Sequence, residues 1–170
     1  MIFYSGFALK NDDKFFSSWL DDKQYTIAGF SYGAIKAFEY ALKSHDRIDK
    51  LQLFSPAFFQ TKKEKFLSMQ LAAFSADAPS YLRQFVDNCY SPSLNDGRVE
   101  LDSADYQDLK KLLEYVWDES EIKRLTNKGI EIEVYLGEKD RIIDAQKAFD
   151  FFTPHATVFF FKDVGHFLQK

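Results

Sequence analysis

Apolar residues along the chain cluster in two ways. Ile2 to Tyr4, Tyr25 to Phe30, Leu51 to Phe54, Ile130 to Leu136 and Thr157 to Phe161 are short runs rich in β-branched and aromatic residues, of strand length. Between them the apolar positions fall at helical spacing. Asn11 or Asp12 can cap a helix to about Leu20, with Phe15, Phe16, Trp19 and Leu20 on one face and Asp21 and Asp22 ending it. Tyr32 to about Ser44 presents Ala34, Ile35, Ala37, Phe38 and Ala41 for packing on a sheet, and Ala145 to Phe152 is a further helix. Five short strands separated by helices predict an α/β domain with a mainly parallel sheet covered on both faces.

Residues 57 to 128 break this alternation. Helical periodicities dominate: Phe66, Met69 and Leu71 with Phe74, then Tyr81, Leu82, Phe85 and Val86, then Leu109, Leu112, Leu113, Val116 and Trp117. Ser91 to Arg98, with its Pro, Asn, Asp and Gly, reads as a loop between helices, and no strand is expected here. An insertion after the third strand of a parallel sheet lies at the carboxyl edge, where open α/β folds bind ligands, so it is expected to act as a lid.

At 170 residues and 46% hydrophobic content the chain is expected to be one domain, 1–170. Its 19 phenylalanines fill a core, and some are candidates for lining a cavity. A net charge of −4, dispersed along the chain, carries no nucleic-acid or anionic-membrane footprint. No apolar run approaches membrane-spanning length, and Met-Ile-Phe-Tyr-Ser-Gly-Phe does not read as a secretion signal, so a cytoplasmic location is expected. The lone Cys89 fits a reducing compartment and has no catalytic pattern around it.

Chemistry enters at Gly29-Phe30-Ser31-Tyr32-Gly33, where the second strand turns directly into a helix. This is the pattern of a nucleophile elbow: glycines flank the serine because the turn leaves no room for side chains. The same five residues can also serve as a small-residue packing turn. A serine hydroxyl needs a base and the base an orienting acid. Of three histidines, His166 follows the last strand, while His45 suits a helix end and His155 a turn beside Pro154. Asp140 follows the fourth strand in Gly-Glu-Lys-Asp, with Asp144 and Glu138 as neighbouring alternatives. The order Ser31, Asp140, His166 is that of the α/β-hydrolases. The backbone N–H groups of Tyr32, at the start of the helix, and of Phe7, in the loop after the first strand, are the expected oxyanion donors.

These motifs, together with Ser5-Gly6-Phe7, Leu53-Phe54-Ser55-Pro56, Gly129 to Val134, Lys139-Asp140-Arg141-Ile142 and the closing Leu168-Gln169-Lys170, make the chain resemble the BioV-type pimeloyl-[acyl-carrier protein] methyl ester esterases over nearly its whole length. The resemblance implies a truncated α/β-hydrolase fold with a helical lid at about 57–128. It implies hydrolysis of a carrier-bound pimeloyl methyl ester in biotin biosynthesis by Ser31, His166 and Asp140, with no metal or redox cofactor. Relative to the wider hydrolase pattern, one strand–helix unit before the elbow is missing, and Ser5-Gly6 stands where His-Gly is common. Phe58, Phe59, Phe66, Phe74 and Tyr81 are candidates for the acyl channel, though lid packing also accounts for them. Lys62, Lys63, Lys65 and Arg83 are candidates for docking an acidic acyl-carrier protein, or form a solvated face. A broad carboxylesterase or thioesterase, and a silent hydrolase-like binding module, are the competing functions.

Overall fold

The computed structural model describes residues 1–170. In chain order the elements are β1 (Ile2–Tyr4), β2 (Leu9–Lys10), a 3-10 turn (Asp12–Phe16), β3 (Thr26–Phe30), α1 (Tyr32–Lys43), β4 (Lys50–Phe54), α2 (Glu64–Ala76), α3 (Ala78–Tyr90), β5 (Glu100–Leu101), α4 (Tyr106–Glu114), α5 (Glu119–Asn127), β6 (Glu131–Gly137), α6 (Ala145–Phe152) and β7 (Thr157–Phe161). Strands β1, β3, β4, β6 and β7 form one sheet in the order β1-β3-β4-β6-β7, and every neighbouring pair is parallel. All five carboxyl ends therefore lie on one edge, and the loops after them meet there.

The two faces of the sheet are covered differently. Ile27, Leu51, Leu53, Ile132, Val134 and Leu136 pack beneath α1, α5 and α6, against Ala34, Phe38, Ile122, Leu125, Ala148 and Phe152. Small residues on α1 let that helix lie close to the strands. On the opposite face Ala28, Phe30, Phe54 and Tyr135 meet Phe15, Phe16, Tyr90 and Phe167. Phe15 and Phe167 stack with centroids 4.2 Å apart, and Phe16 and Phe54 at 4.6 Å. Each fully buried ring stabilises by roughly 2 to 3 kcal/mol, and on this face the aromatics come from the 3-10 turn, the end of α3 and the segment after β7.

The helix expected from Asn11 or Asp12 to Leu20 is instead the single 3-10 turn. Asn11 adopts the left-handed conformation (φ 61°) without capping the turn, and the Asp12 carboxylate bonds the Gly6 N–H. A side chain that would cap a helix is thus spent on a contact six residues back along the chain. The segment expected to lack strands contains β5, which pairs antiparallel with β2. Two-residue strands are too short to leave a periodic signal. Helices α2 to α5 fill the interval between β4 and β6. The packed side of α2 runs through Phe66, Leu67, Gln70, Leu71 and Phe74, leaving Met69 60% exposed, and Val116 lies beyond the end of α4 at 66% exposure. Trp117 turns inward, its indole N–H donating to the Ala57 carbonyl (2.9 Å).

Candidate active site

Ser31 sits between β3 and α1 with φ 53° and ψ −113°, a conformation that L-residues rarely adopt. Its neighbours impose this turn. A Cβ on Gly29 would lie 2.2 Å from the Gly33 carbonyl oxygen, and one on Gly33 would lie 1.9 Å from that of Tyr4. Backbone bonds then lock the serine: its N–H donates to Phe54 O (2.9 Å), and its carbonyl accepts from Ala34 N (3.1 Å) and Ala57 N (3.1 Å).

His166 and Asp140 reach this point from the ends of β7 and β6. His166 Nε2 is 3.0 Å from Ser31 Oγ, and His166 Nδ1 is 2.6 Å from Asp140 Oδ2. Both side chains are fully buried. A carboxylate only accepts, so Nδ1 carries the ring proton and Nε2 turns its lone pair to the Ser31 hydroxyl. The other Asp140 oxygen accepts from the N–H groups of Ile142 (2.7 Å) and Ile143 (3.0 Å), which holds the carboxylate in place. Asp144 and Glu138 are engaged elsewhere: Asp144 caps α6 through Lys147 N (3.1 Å), and Glu138 lies 3.5 Å from Lys139. His155 Nε2 lies 3.1 Å from Glu119, and His45 is exposed beyond the end of α1. Cys89 is buried, and burial pushes its thiol well above the usual range.

The long loop carrying His166 crosses the ends of β6 and β4 to reach Ser31. Ser55 supports it on the way, in a role the linear sequence does not reveal. At the end of β4, with φ 41° and no exposure, it donates its hydroxyl to the His166 carbonyl (2.7 Å). Phe167 N–H bonds the Cys89 carbonyl (3.2 Å), and a Cβ on Gly165 would lie 1.6 Å from Ser91 O. The histidine loop is therefore clamped between the sheet edge and the end of α3.

Of the two oxyanion candidates, Tyr32 is the first residue of α1, where an N–H has no partner within the helix and the dipole favours negative charge. The Phe7 N–H makes no hydrogen bond within the chain. The Tyr32 hydroxyl donates to Asp108 (3.2 Å) and so ties the elbow to α4; burial first, and Asp108 second, push its pKa up to about 12.

Ser31 opens into a cavity of about 330 Å³ lined mainly by apolar side chains, within the range of small-molecule sites. Phe59, Phe66 and Tyr81 line it, joined by Phe85, Leu109 and Leu112. Phe58 and Phe74 do not. Phe58 packs into the core against Phe151 and Phe152 (5.4 and 6.1 Å), and Phe74 stands behind the wall against Phe7 and Tyr81 (6.2 and 5.6 Å). Periodicity identifies a buried face without distinguishing core from cavity. Lys63 and Lys65 are exposed around the start of α2, and the Lys62 ammonium lies 5.3 Å from the centre of the Phe66 ring. Arg83, on α3, donates to Ser80 (2.8 Å). No group of three or more His, Cys, Asp or Glu side chains is arranged to hold a metal ion, and no helix is long and apolar enough to cross a membrane.

The parallel five-stranded sheet with a sharp turn after β3 and helices on its faces is the α/β-hydrolase fold in a short form. Solved structures resemble it at low identity. Naproxen esterase from Bacillus subtilis superposes with a TM-score of 0.58 at 16% identity, over 84% of this chain and 53% of its own. For MenH from S. aureus the values are 0.57 and 14%, over 97% of this chain and 85% of its own. For an E-2-(acetamidomethylene)succinate hydrolase they are 0.59 and 14%, over 98% and 84%. The chain thus spans little more than half of the esterase and most of the other two. This likeness is one of fold, and it does not single out the methyl ester esterases. No protein-family model and no curated protein matches the chain.

Proposed function

We propose that the chain is a serine hydrolase of carboxylic esters. The observation that carries this reading is the hydrogen-bonded series Ser31, His166, Asp140 beside an apolar cavity. Ser31 Oγ attacks the ester carbonyl while His166 Nε2 takes its proton, and Asp140 holds the ring and balances the charge of the imidazolium. The N–H groups of Phe7 and Tyr32 receive the oxyanion. His166 returns the proton to the departing alcohol, leaving an acyl-serine. Water, deprotonated by His166, then attacks the acyl carbon, and the acid leaves as Ser31 regains its proton.

The substrate we infer is the methyl ester of a pimeloyl chain on an acyl-carrier protein, cleaved in the cytoplasm to the free carboxyl and methanol. The motif resemblance supports it, and so does a cavity whose apolar walls suit a methylene chain. Helices α2 to α5 serve as the lid. Lys62, Lys63 and Lys65 at the start of α2, with Arg83 on α3, offer positive charge to an acidic carrier.

A fluorophosphonate should label the wild-type protein and leave Ser31→Ala unlabelled; equal labelling would remove the serine mechanism. Turnover of the carrier-linked methyl ester should exceed that of free short esters and of the thioester. Comparable turnover of all three would make the enzyme a broad carboxylesterase or thioesterase. Replacing Lys62 and Lys63 by Glu should lower kcat/KM for the carrier-linked ester about tenfold and spare a free ester, with equal losses on both arguing against docking there.

A further inference from the structure

Asp12 has no part in the triad, yet it is fully buried at the start of the 3-10 turn, beside the loop that carries Phe7. Its Oδ2 accepts the Gly6 N–H at 2.8 Å, and its Oδ1 has no hydrogen-bond partner. Burial pushes the carboxyl above its usual range, against the opposing effects of the Ser5 hydroxyl and the Gly6 N–H. An acid in such a place costs stability that an apolar side chain would not cost.

The surrounding bonds indicate what it does. The peptide that presents the Phe7 N–H joins Gly6 to Phe7. Its carbonyl, Gly6 O, accepts from Leu9 N (3.3 Å), and in a planar trans peptide the N–H points the opposite way. The far side of the loop is pinned by Asp102 N–H donating to Ala8 O (2.7 Å), with Ala8 itself at φ 59°. One residue retains freedom on the near side, Gly6, the residue type with the widest choice of backbone conformation. It cannot be replaced by a bulkier residue, because a Cβ would lie 2.8 Å from the Phe30 ring. The bond from its N–H to Asp12 fixes the preceding peptide plane. Together with the Leu9 bond it leaves Gly6 a single orientation.

We propose that Asp12 is the positioning residue of the oxyanion hole: it aims the Phe7 N–H by restraining Gly6. This rests on the hydrolase reading above. Asp12 acts chiefly on the transition state, because the oxyanion draws on that N–H more strongly than the neutral carbonyl of the bound ester does. Asp12→Ala should lower kcat on a short-chain ester about 100-fold, the loss expected for a misplaced oxyanion donor, with KM changed less than about threefold. The rate of fluorophosphonate labelling should fall in parallel. Asp12→Asn keeps an acceptor at full reach and should restore kcat to within about fivefold of wild type. Asp12→Ser stops one bond short and should behave like Asp12→Ala, so the Asn and Ser variants carry the comparison should the alanine variant fail to fold. Equal kcat in the Asn and Ser variants would overturn the proposal, as would losses in kcat and KM that track a common drop in thermal stability. Absence of labelling in the wild-type protein would overturn the hydrolase reading instead.

Discussion

The loops at the carboxyl edge of the sheet and the helical segment between β4 and β6 meet over the same cavity, but they are built on opposite terms. In the edge loops, backbone approaches backbone so closely at Gly29, Gly33 and Gly165 that a single methyl group does not fit. Positions there are set by hydrogen bonds at Ser31, Ser55, Asp140 and His166. Helix α2, by contrast, buries only Phe74, and α3 and α4 are held chiefly by apolar side chains, Val86, Cys89 and Tyr90 on one and Leu109, Leu112 and Leu113 on the other. The difference separates two tasks. On the proposed mechanism, atoms that exchange protons must stay within tenths of an ångström, whereas a wall for an acyl chain needs only apolar area.

Mutations should divide along the same line. Asp140→Asn has the largest expected effect. Its Oδ1 can still hold the Ile142 and Ile143 N–H groups, but its amide donates toward His166 Nδ1 and forces the proton onto Nε2. Turnover of a short ester should fall about 10⁴-fold, with a thermal midpoint close to wild type; a loss under tenfold would mean that His166 is not the base. Ala73→Trp, on the cavity wall contributed by α2, should act on selectivity instead. A loss of about tenfold in kcat/KM for long acyl esters, with acetate esters unchanged, is expected; equal losses on both chain lengths would break the distinction between edge and cover.

The smallest effect concerns the sheet alone. Glu133, on β6, is buried with Gln52 and Tyr135 and bonds Lys50 at 2.8 Å. Burial raises its pKa, but the hydrogen bonds from Lys50, Tyr135 and Gln52 outweigh this and hold it below the ordinary value of 4.5. The folded pKa lies under the unfolded one, so its contribution to stability is present above about pH 4.5 and is lost as pH falls through the folded pKa. Thermal melts of wild type and Glu133→Gln should show a gap near neutral pH that narrows below about pH 4.5, with ester turnover at neutral pH alike in both. A constant gap would assign the effect to packing.

Much of the fold is legible in the chain because its determinants are local. The apolar run that becomes β3 is uninterrupted, as a strand buried on both faces must be, while β4 and β6 carry the same signal broken only by Gln52 and Glu133, and β7 is a half-exposed edge strand. Gly29 belongs to a turn that excludes larger residues locally, since a Cβ there would meet Gly33 O, whereas at Gly33 the clash comes from Tyr4 on β1. Ser31, Asp140 and His166 follow β3, β6 and β7, and because these strands all point one way the three lie on one edge. Tertiary structure decided the rest. Phe59 and Phe58 are adjacent and equally apolar, yet one faces the cavity and the other Phe151 and Phe152. Asp12 reads as a helix cap, until the fold brings Gly6 N–H to its carboxylate and the helix is lost. Ser55 reads as the end of a strand, until the loop after β7, 111 residues further on, lays the His166 carbonyl across it. Sequence patterns record which side chains avoid water and which backbones must turn; the partner that a polar group meets across the fold is recorded only in the packed molecule.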